Sequence, residues 1–209
     1  MTDQTVEQGD RPTRLFEPGR WVAIGAVAVA VLAAFAIGWA STKDWSNDQA
    51  DQDLIELPPL VAPVASTPDE ARVRSDADVI GVTVDGRHRA YVVATLTPIR
   101  EHVVNDLVGN TPLTVTYCDR TDCVRAFTAD DRSTPLDLAV GGWVRANGRS
   151  GMLLRSGRHR YLQATGQPFD EKGPQFPYRE VQVKRTTWAK WRAAHPDTDV
   201  YVGGAAAVQ

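Results

Sequence analysis

The chain has 209 residues, with 23 Lys and Arg against 26 Asp and Glu, a formal net charge of −3, and two cysteines. Nearly balanced charge with no basic stripe argues against a nucleic-acid partner. Two cysteines are too few for a disulfide-built scaffold, and no internal repeat is present.

Residues 1–20 are short and polar and read as a disordered tail. Residues 21–40, WVAIGAVAVAVLAAFAIGWA, carry no charge. About 20 helical residues at 1.5 Å each cross the roughly 30 Å of a bilayer's hydrocarbon. Trp21 and Trp39 stand at the two ends, where indoles favour the interface. Arg11, Arg14 and Arg20 precede the segment, and Asp44, Asp48, Asp51, Asp53 and Glu56 follow it. That bias puts the N-terminus in the cytoplasm and the bulk of the chain outside, periplasmic or extracellular. Gly38 and Ala40 offer the small residues of a signal-peptide cleavage site, but the apolar run exceeds a usual signal core. The expected partner of residues 21–40 is therefore the lipid bilayer, as a retained single-pass anchor. Ala26, Ala30, Ala34 and Gly38 form a small-residue seam of the kind that permits an anchor-mediated dimer, although alanine is abundant throughout the segment.

Residues 41–78 read as an acidic, then proline-rich spacer. Pro58, Pro59 and Pro63 favour an extended tether, and Leu54, Ile55, Leu57, Leu60 and Val61 suit docking on the domain as an arm. Residues 79–204 make one outer domain, long enough to bury its own core. An alanine-rich tail, 205–209, follows.

Within the outer domain, residues 79–84 and 88–93 flank Asp85-Gly86 and predict a hairpin with a primed turn. Residues 103–108 and 111–117 flank Gly109-Asn110 and predict a second pair, the first member of which also fits a short helix. Leu113, Val115 and Tyr117 alternate with Thr114 and Thr116, the pattern of a half-buried strand. Further strands are expected at 136–140, 152–155, 159–163 and 179–183, punctuated by glycines such as Gly141 and Gly142. A helix capped by Thr186 or Thr187 should carry Trp188 and Trp191 on one packed face, with His195 in its last turn and Pro196 ending it. His195 reads as structural there, where a cation suits the helix dipole. Arg155, Arg158, His159 and Arg160 form the one basic cluster, read as solvated surface rather than an anion site. The fold class is α+β: a mainly antiparallel β outer domain with a short C-terminal helix, preceded by one transmembrane helix.

Several strings fall in a fixed order: VIGV at 79–82, RAY at 89–91, HVVND at 102–106, VTYC at 115–118 and a second cysteine at 123. LAVGG at 138–142, QATG at 163–166, and TTW, Trp191 and HPDT at 186–198 follow. Together they resemble the uncharacterised bacterial family called domain of unknown function 3179, across nearly the whole outer domain. The family usually has Cys-x-x-Cys followed by Gly-Thr-Ala, whereas four residues separate Cys118 from Cys123 here. Its usual tryptophan before the glutamine is replaced by Tyr161-Leu162. The resemblance implies architecture and candidate residues, without an activity.

Three readings of Cys118 and Cys123 stay open. An oxidising compartment and an even count favour a disulfide. With His102 the two thiolates could bind zinc or copper, leaving a position for water, Gln163 or substrate. Thiol redox chemistry needs a depressed pKa, which Arg120, Arg125 and His102 would support and Asp119 and Asp122 would oppose. Asn105 and Asp106 suit turn hydrogen bonds, or Asp106 orients His102 as the partner of a ligand. No phosphate-binding loop, nucleophile elbow, HExxH or dinucleotide fingerprint occurs. The leading expectation is a binding or structural module with a Cys118–Cys123 disulfide beside a polar pocket of His102, Asn105, Asp106 and Gln163, its ligand unnamed. The alternative is a metal-dependent or thiol-redox enzyme using Cys118, Cys123 and His102.

Overall fold

A computed structural model describes residues 51–61, 65–146 and 148–204. The expected tail 1–20, anchor 21–40 with its small-residue seam, first part of the spacer and tail 205–209 lie outside them. Among the described residues no helix is long and apolar enough to cross a membrane.

The strands run in chain order as β1 (Asp51–Leu54), β2 (Leu60–Val61), β3 (Asp78–Val84), β4 (Arg87–Val92), β5 (Val103–Val108) and β6 (Thr111–Cys118). Then come β7 (Cys123–Thr128), β8 (Ala139–Ala146), β9 (Arg149–Ser156) and β10 (His159–Leu162). β11 (Arg179–Val181), β12 (Val183–Thr187), helix α1 (Trp188–Ala194) and β13 (Asp199–Tyr201) close the domain. Two short 3₁₀ turns, Val93–Leu96 and Ile99–Glu101, link β4 to β5. The described residues are thus mainly antiparallel β with one short helix. Two parallel pairs, β2 with β5 and β13 with β4, were not expected.

Three sheets result, ordered β1-β8-β9-β10, β11-β7-β6-β5-β2 and β12-β3-β4-β13. The second is the middle layer, and strand alternation assigns its two faces. Val104, Val108, Leu113, Val115 and Ala126 pack against Ile80, Val82 and Tyr91 of the third sheet. Val103, Cys118 and Phe127 pack the other way, against Val140, Met152 and Leu154 of the first. β6 is therefore buried on both faces, and the half-buried reading is corrected. Thr114 and Thr116, fully buried, tolerate this because their hydroxyls donate to Asn105 Oδ1 at 2.7 Å and Arg125 O at 3.1 Å, which removes the cost of an unpaired buried hydroxyl.

Asp85 and Gly86 both take positive φ (47° and 73°), as the primed turn between β3 and β4 demands. Residues 103–108 form a strand and no helix. The strand expected at 136–140 lies later, at β8, where a bulge at Gly141 shifts the register between Val140 and Gly142. Gly142 is needed there because β1 crosses so close that a Cβ would sit 2.1 Å from Asp53 O. The stretch 179–183 splits at Gln182, β11 joining the middle sheet and β12 the third. Cys123 follows the turn at 119–122 and opens a strand.

On the outer face of the third sheet, Trp188 and Trp191 cover Val79, Ala90, Val92 and Val200. Gly81 and Ala90 are register partners, and a Cβ on Gly81 would fall 2.2 Å from the Trp191 ring, so the glycine is the floor on which the indole lies. Thr187 holds the helix N-cap position without a side-chain hydrogen bond, so the expected threonine cap is absent. His195 stands at the C-cap, its ring tilted against those of Trp191 and His88, with centroids 4.1 and 4.0 Å away. Burial first, then His88 and Lys184, lower its pKa, with Asp197 opposing. The neutral ring, and not the cation expected at the helix end, is favoured.

The stretch 51–61, read as part of the spacer, enters two sheets through β1 and β2, as the arm reading anticipated. Arg155 Nη2 donates to Leu57 O at 2.8 Å, and Arg160 pairs with Glu56 at 3.3 Å. Two members of the basic cluster thus pin the arm.

Candidate functional site

The β6–β7 hairpin places Cys118 directly opposite Cys123 as the last register pair before a four-residue loop. Asp122 supplies the loop's positive φ of 53°. Both cysteines are unbonded; Cys118 is buried and Cys123 partly so. The loop is tied at each end. Asp119 faces His102, while Asp122 accepts from Tyr117 OH at 3.2 Å and from Arg185 of β12.

Cys118 points toward the first sheet and lines a cavity of about 70 Å³. His102, Asp119 and Arg120 share it, with Asp53 and Ile55 of the arm, Ile99, Val140, Gly142, Trp143 and Met152 forming the remaining wall. His102 is buried, with Nδ1 2.8 Å from Leu96 O and Nε2 3.2 Å from Asp119 Oδ1. Both neighbours are acceptors, so a ring nitrogen that carries the proton donates to the one it faces. The Arg120 guanidinium lies over the Trp143 ring at 5.0 Å from its centroid. Apolar walls around a few convergent polar groups are the usual composition of a small-ligand site.

The other expected pocket residues go elsewhere. Asn105 donates to Leu60 O and Leu138 O at 3.0 and 2.7 Å, and accepts from Thr114 Oγ1 and Leu138 N. All four of its hydrogen-bonding positions are used, which makes it a clip holding the arm and the approach to β8 onto the middle sheet. Asp106 does not orient His102; Asp119 does. The reason is strand alternation, which turns Asp106 to the opposite face. There its Oδ2 accepts from Arg89 Nη1 at 2.6 Å and Tyr91 OH at 2.8 Å, and Oδ1 from Leu107 N. Arg89 also reaches Asp199 at 3.0 Å. Gln163 is buried beside the second cysteine, donating to Thr116 Oγ1 and Cys123 O, each at 3.1 Å. His102 alone of the four lines the cavity.

Among the described residues no three His, Cys, Asp or Glu side chains gather closely enough to hold a metal ion. The zinc or copper set of Cys118, Cys123 and His102 is therefore not assembled. Burial, followed by the neighbouring Cys118, pushes the Cys123 thiol above its ordinary pKa, against the pull of Arg125. That keeps Cys123 protonated and a poor first nucleophile.

The family model for "Protein of unknown function (DUF3179)" matches residues 55–206. The chain belongs to the DUF3179 family. No curated protein and no solved structure matches it. The match starts inside the arm, in keeping with its place in the sheets. The strings that resemble DUF3179 meet in space: Gly81 and Ala90 floor Trp191, Trp191 Nε1 donates to Thr198 Oγ1 at 2.9 Å, and Arg89 and Tyr91 bind Asp106. Much of the DUF3179 pattern in this chain thus builds the third sheet and its junction with the middle one. The cavity wall given by Asp53, Ile55, Trp143 and Met152 was missed by sequence reasoning, since these residues converge from three strands or their flanks with no local pattern. Asp199 was missed too, though it directly follows the HPDT string.

Proposed function

We propose that this DUF3179 protein displays, outside the membrane, a small-ligand module whose Cys118–Cys123 pair closes as a disulfide flooring the cavity. The observation that carries the reading is the register pairing of the two cysteines. Directly opposed Cβ atoms in an antiparallel pair lie about 4.5–5.5 Å apart, and a disulfide wants about 3.5–4.5 Å, so closure needs only a small inward shift. For so short a loop the bond contributes about 2 kcal/mol. A domain of this size folds without that increment, which leaves the pair free to serve the cavity it borders. The outside location rests on residues 21–40 as anchor and on the charge bias around them.

The test uses cells or spheroplasts expressing the full chain, acid-quenched and alkylated in denaturant. No alkylated cysteine is expected without reductant, and two after a membrane-impermeant phosphine. Two alkylated cysteines without reductant would remove the disulfide. Two only after a membrane-permeant reductant would place the domain inside.

A further inference from the structure

The two thiols differ in what they face. Cys118 lines the cavity, with His102, Arg120 and the carboxyl residues Asp53 and Asp119 around it. Cys123 lies outside that lining, half-buried, directly across the strand pair, with its backbone carbonyl held by Gln163. Of the two sulfurs only that of Cys118 belongs to a residue lining the cavity, so a small reactant entering it meets Cys118 first. A sulfenic acid formed beside a second thiol condenses with it to a disulfide. The cavity volume of about 70 Å³ has room for a reactant of a few heavy atoms.

We propose that Cys118 attacks a small hydroperoxide bound in this cavity, and that Cys123 resolves the product into the disulfide. The inference rests on the reading of the pair given above and names the substrate class of the same site. The Cys118 sulfur attacks one peroxide oxygen. An S–O bond forms, the O–O bond breaks, and the second oxygen leaves as water with the Cys118 proton and the peroxide's own. Sulfur is oxidised by two electrons and the peroxide reduced. The Cys123 sulfur then attacks Cys118 Sγ. The S–S bond forms, the S–O bond breaks, and hydroxide leaves as a second water with the Cys123 proton. Two thiols and one hydrogen peroxide give one disulfide and two waters. Arg120, on the same wall, acts as a positioning residue that donates to the bound peroxide. Trp143 and Ile99 also line the cavity, whose small volume disfavours bulky hydroperoxides.

The full chain, reduced in detergent, is exposed to hydrogen peroxide or to cumene hydroperoxide, and a dimedone trap is read by peptide mass. In Cys123→Ser, the trapped sulfenic acid should fall on Cys118. It should form at least about tenfold faster than any adduct on Cys123 in Cys118→Ser, and at least about tenfold faster with hydrogen peroxide than with the bulky oxidant. Unmodified protein should give the intramolecular disulfide with no trapped adduct. Equal rates at the two cysteines, equal rates for the two oxidants, or oxygen added first at Met152 would overturn the proposal. Oxidised glutathione separates the two claims. If it closes the disulfide while peroxide leaves Cys118 untrapped, the peroxide step fails and the pairing stands. If neither oxidant closes it, the pairing itself fails.

Discussion

Asp106 Oδ2 lies 2.6 Å from Arg89 Nη1, joining the middle sheet to the third through an ion pair whose side chains are 3 % and 10 % exposed. Tyr91 OH donates to the same oxygen at 2.8 Å, and burial leads the causes that raise the Tyr91 pKa, keeping the phenol protonated as a donor. Asp106→Asn removes the charge with little change in shape. It leaves Arg89 with only the half-exposed Asp199 as counter-charge. Breaking one partner of a buried pair costs about 3–5 kcal/mol, and Asp199 keeps the loss near the lower end. Urea midpoints of the variant should show this. Arg89→Met with Asp106→Leu should recover only part of it, because the apolar pair relieves the unpaired charge but leaves Tyr91 OH and Leu107 N without their acceptor.

Asn105 was read as a pocket residue and serves as a clip. Asn105→Ala strands the carbonyls of Leu60 and Leu138 and the amide of Leu138, at about 1–3 kcal/mol for each group left unpaired and buried. The arm should loosen first, since β2 has two residues and one neighbouring strand. Faster amide exchange at 51–61 than at β6 would show the clip at work. Uniform loss of protection would show a role confined to the core.

His195, packed against His88 and Trp191, links stability to pH. Its folded-state pKa is lowered, so the unfolded chain binds the proton more readily. The contribution is complete above the ordinary value of about 6.5 and is lost as pH falls through that value toward the folded one. The thermal midpoint should therefore be flat from pH 8 to 7 and drop below about pH 6.5. Titration of the His195 ring by NMR should give a pKa below its ordinary value, and His88→Gln should raise it. A midpoint indifferent to pH between about 7 and 5.5 would count against the packed neutral ring.

The parts of the fold legible in the sequence are those set by local chemistry. Asp85-Gly86 announces its turn because few residues accept two positive φ values in succession. The Leu113, Val115, Tyr117 alternation announces β6, and Trp188 with Trp191 announces the packed face of α1. The second burial of β6 was hidden, because Thr114 and Thr116 look solvent-facing until Asn105 and Arg125 supply their partners. The site was half legible for a similar reason. Cys118, Cys123 and His102 stood out as residue types, but Asp119 as the partner of His102, and Asp53 and Ile55 as cavity wall, follow from long-range pairing of β1 with β8. The departure in cysteine spacing also becomes intelligible, since a loop of four residues, like one of two, keeps its flanking pair opposed across a hairpin.

The central claim is that Cys118 and Cys123 close on each other. Trypsin cleavage after Arg120 separates them, so the full chain, isolated under acid quench without reductant and digested as a monomer, gives a direct reading. A closed pair gives a linked species joining peptides 101–120 and 121–125, which separates on reduction. Recovery of the two peptides unlinked, each alkylated on its cysteine, would contradict it.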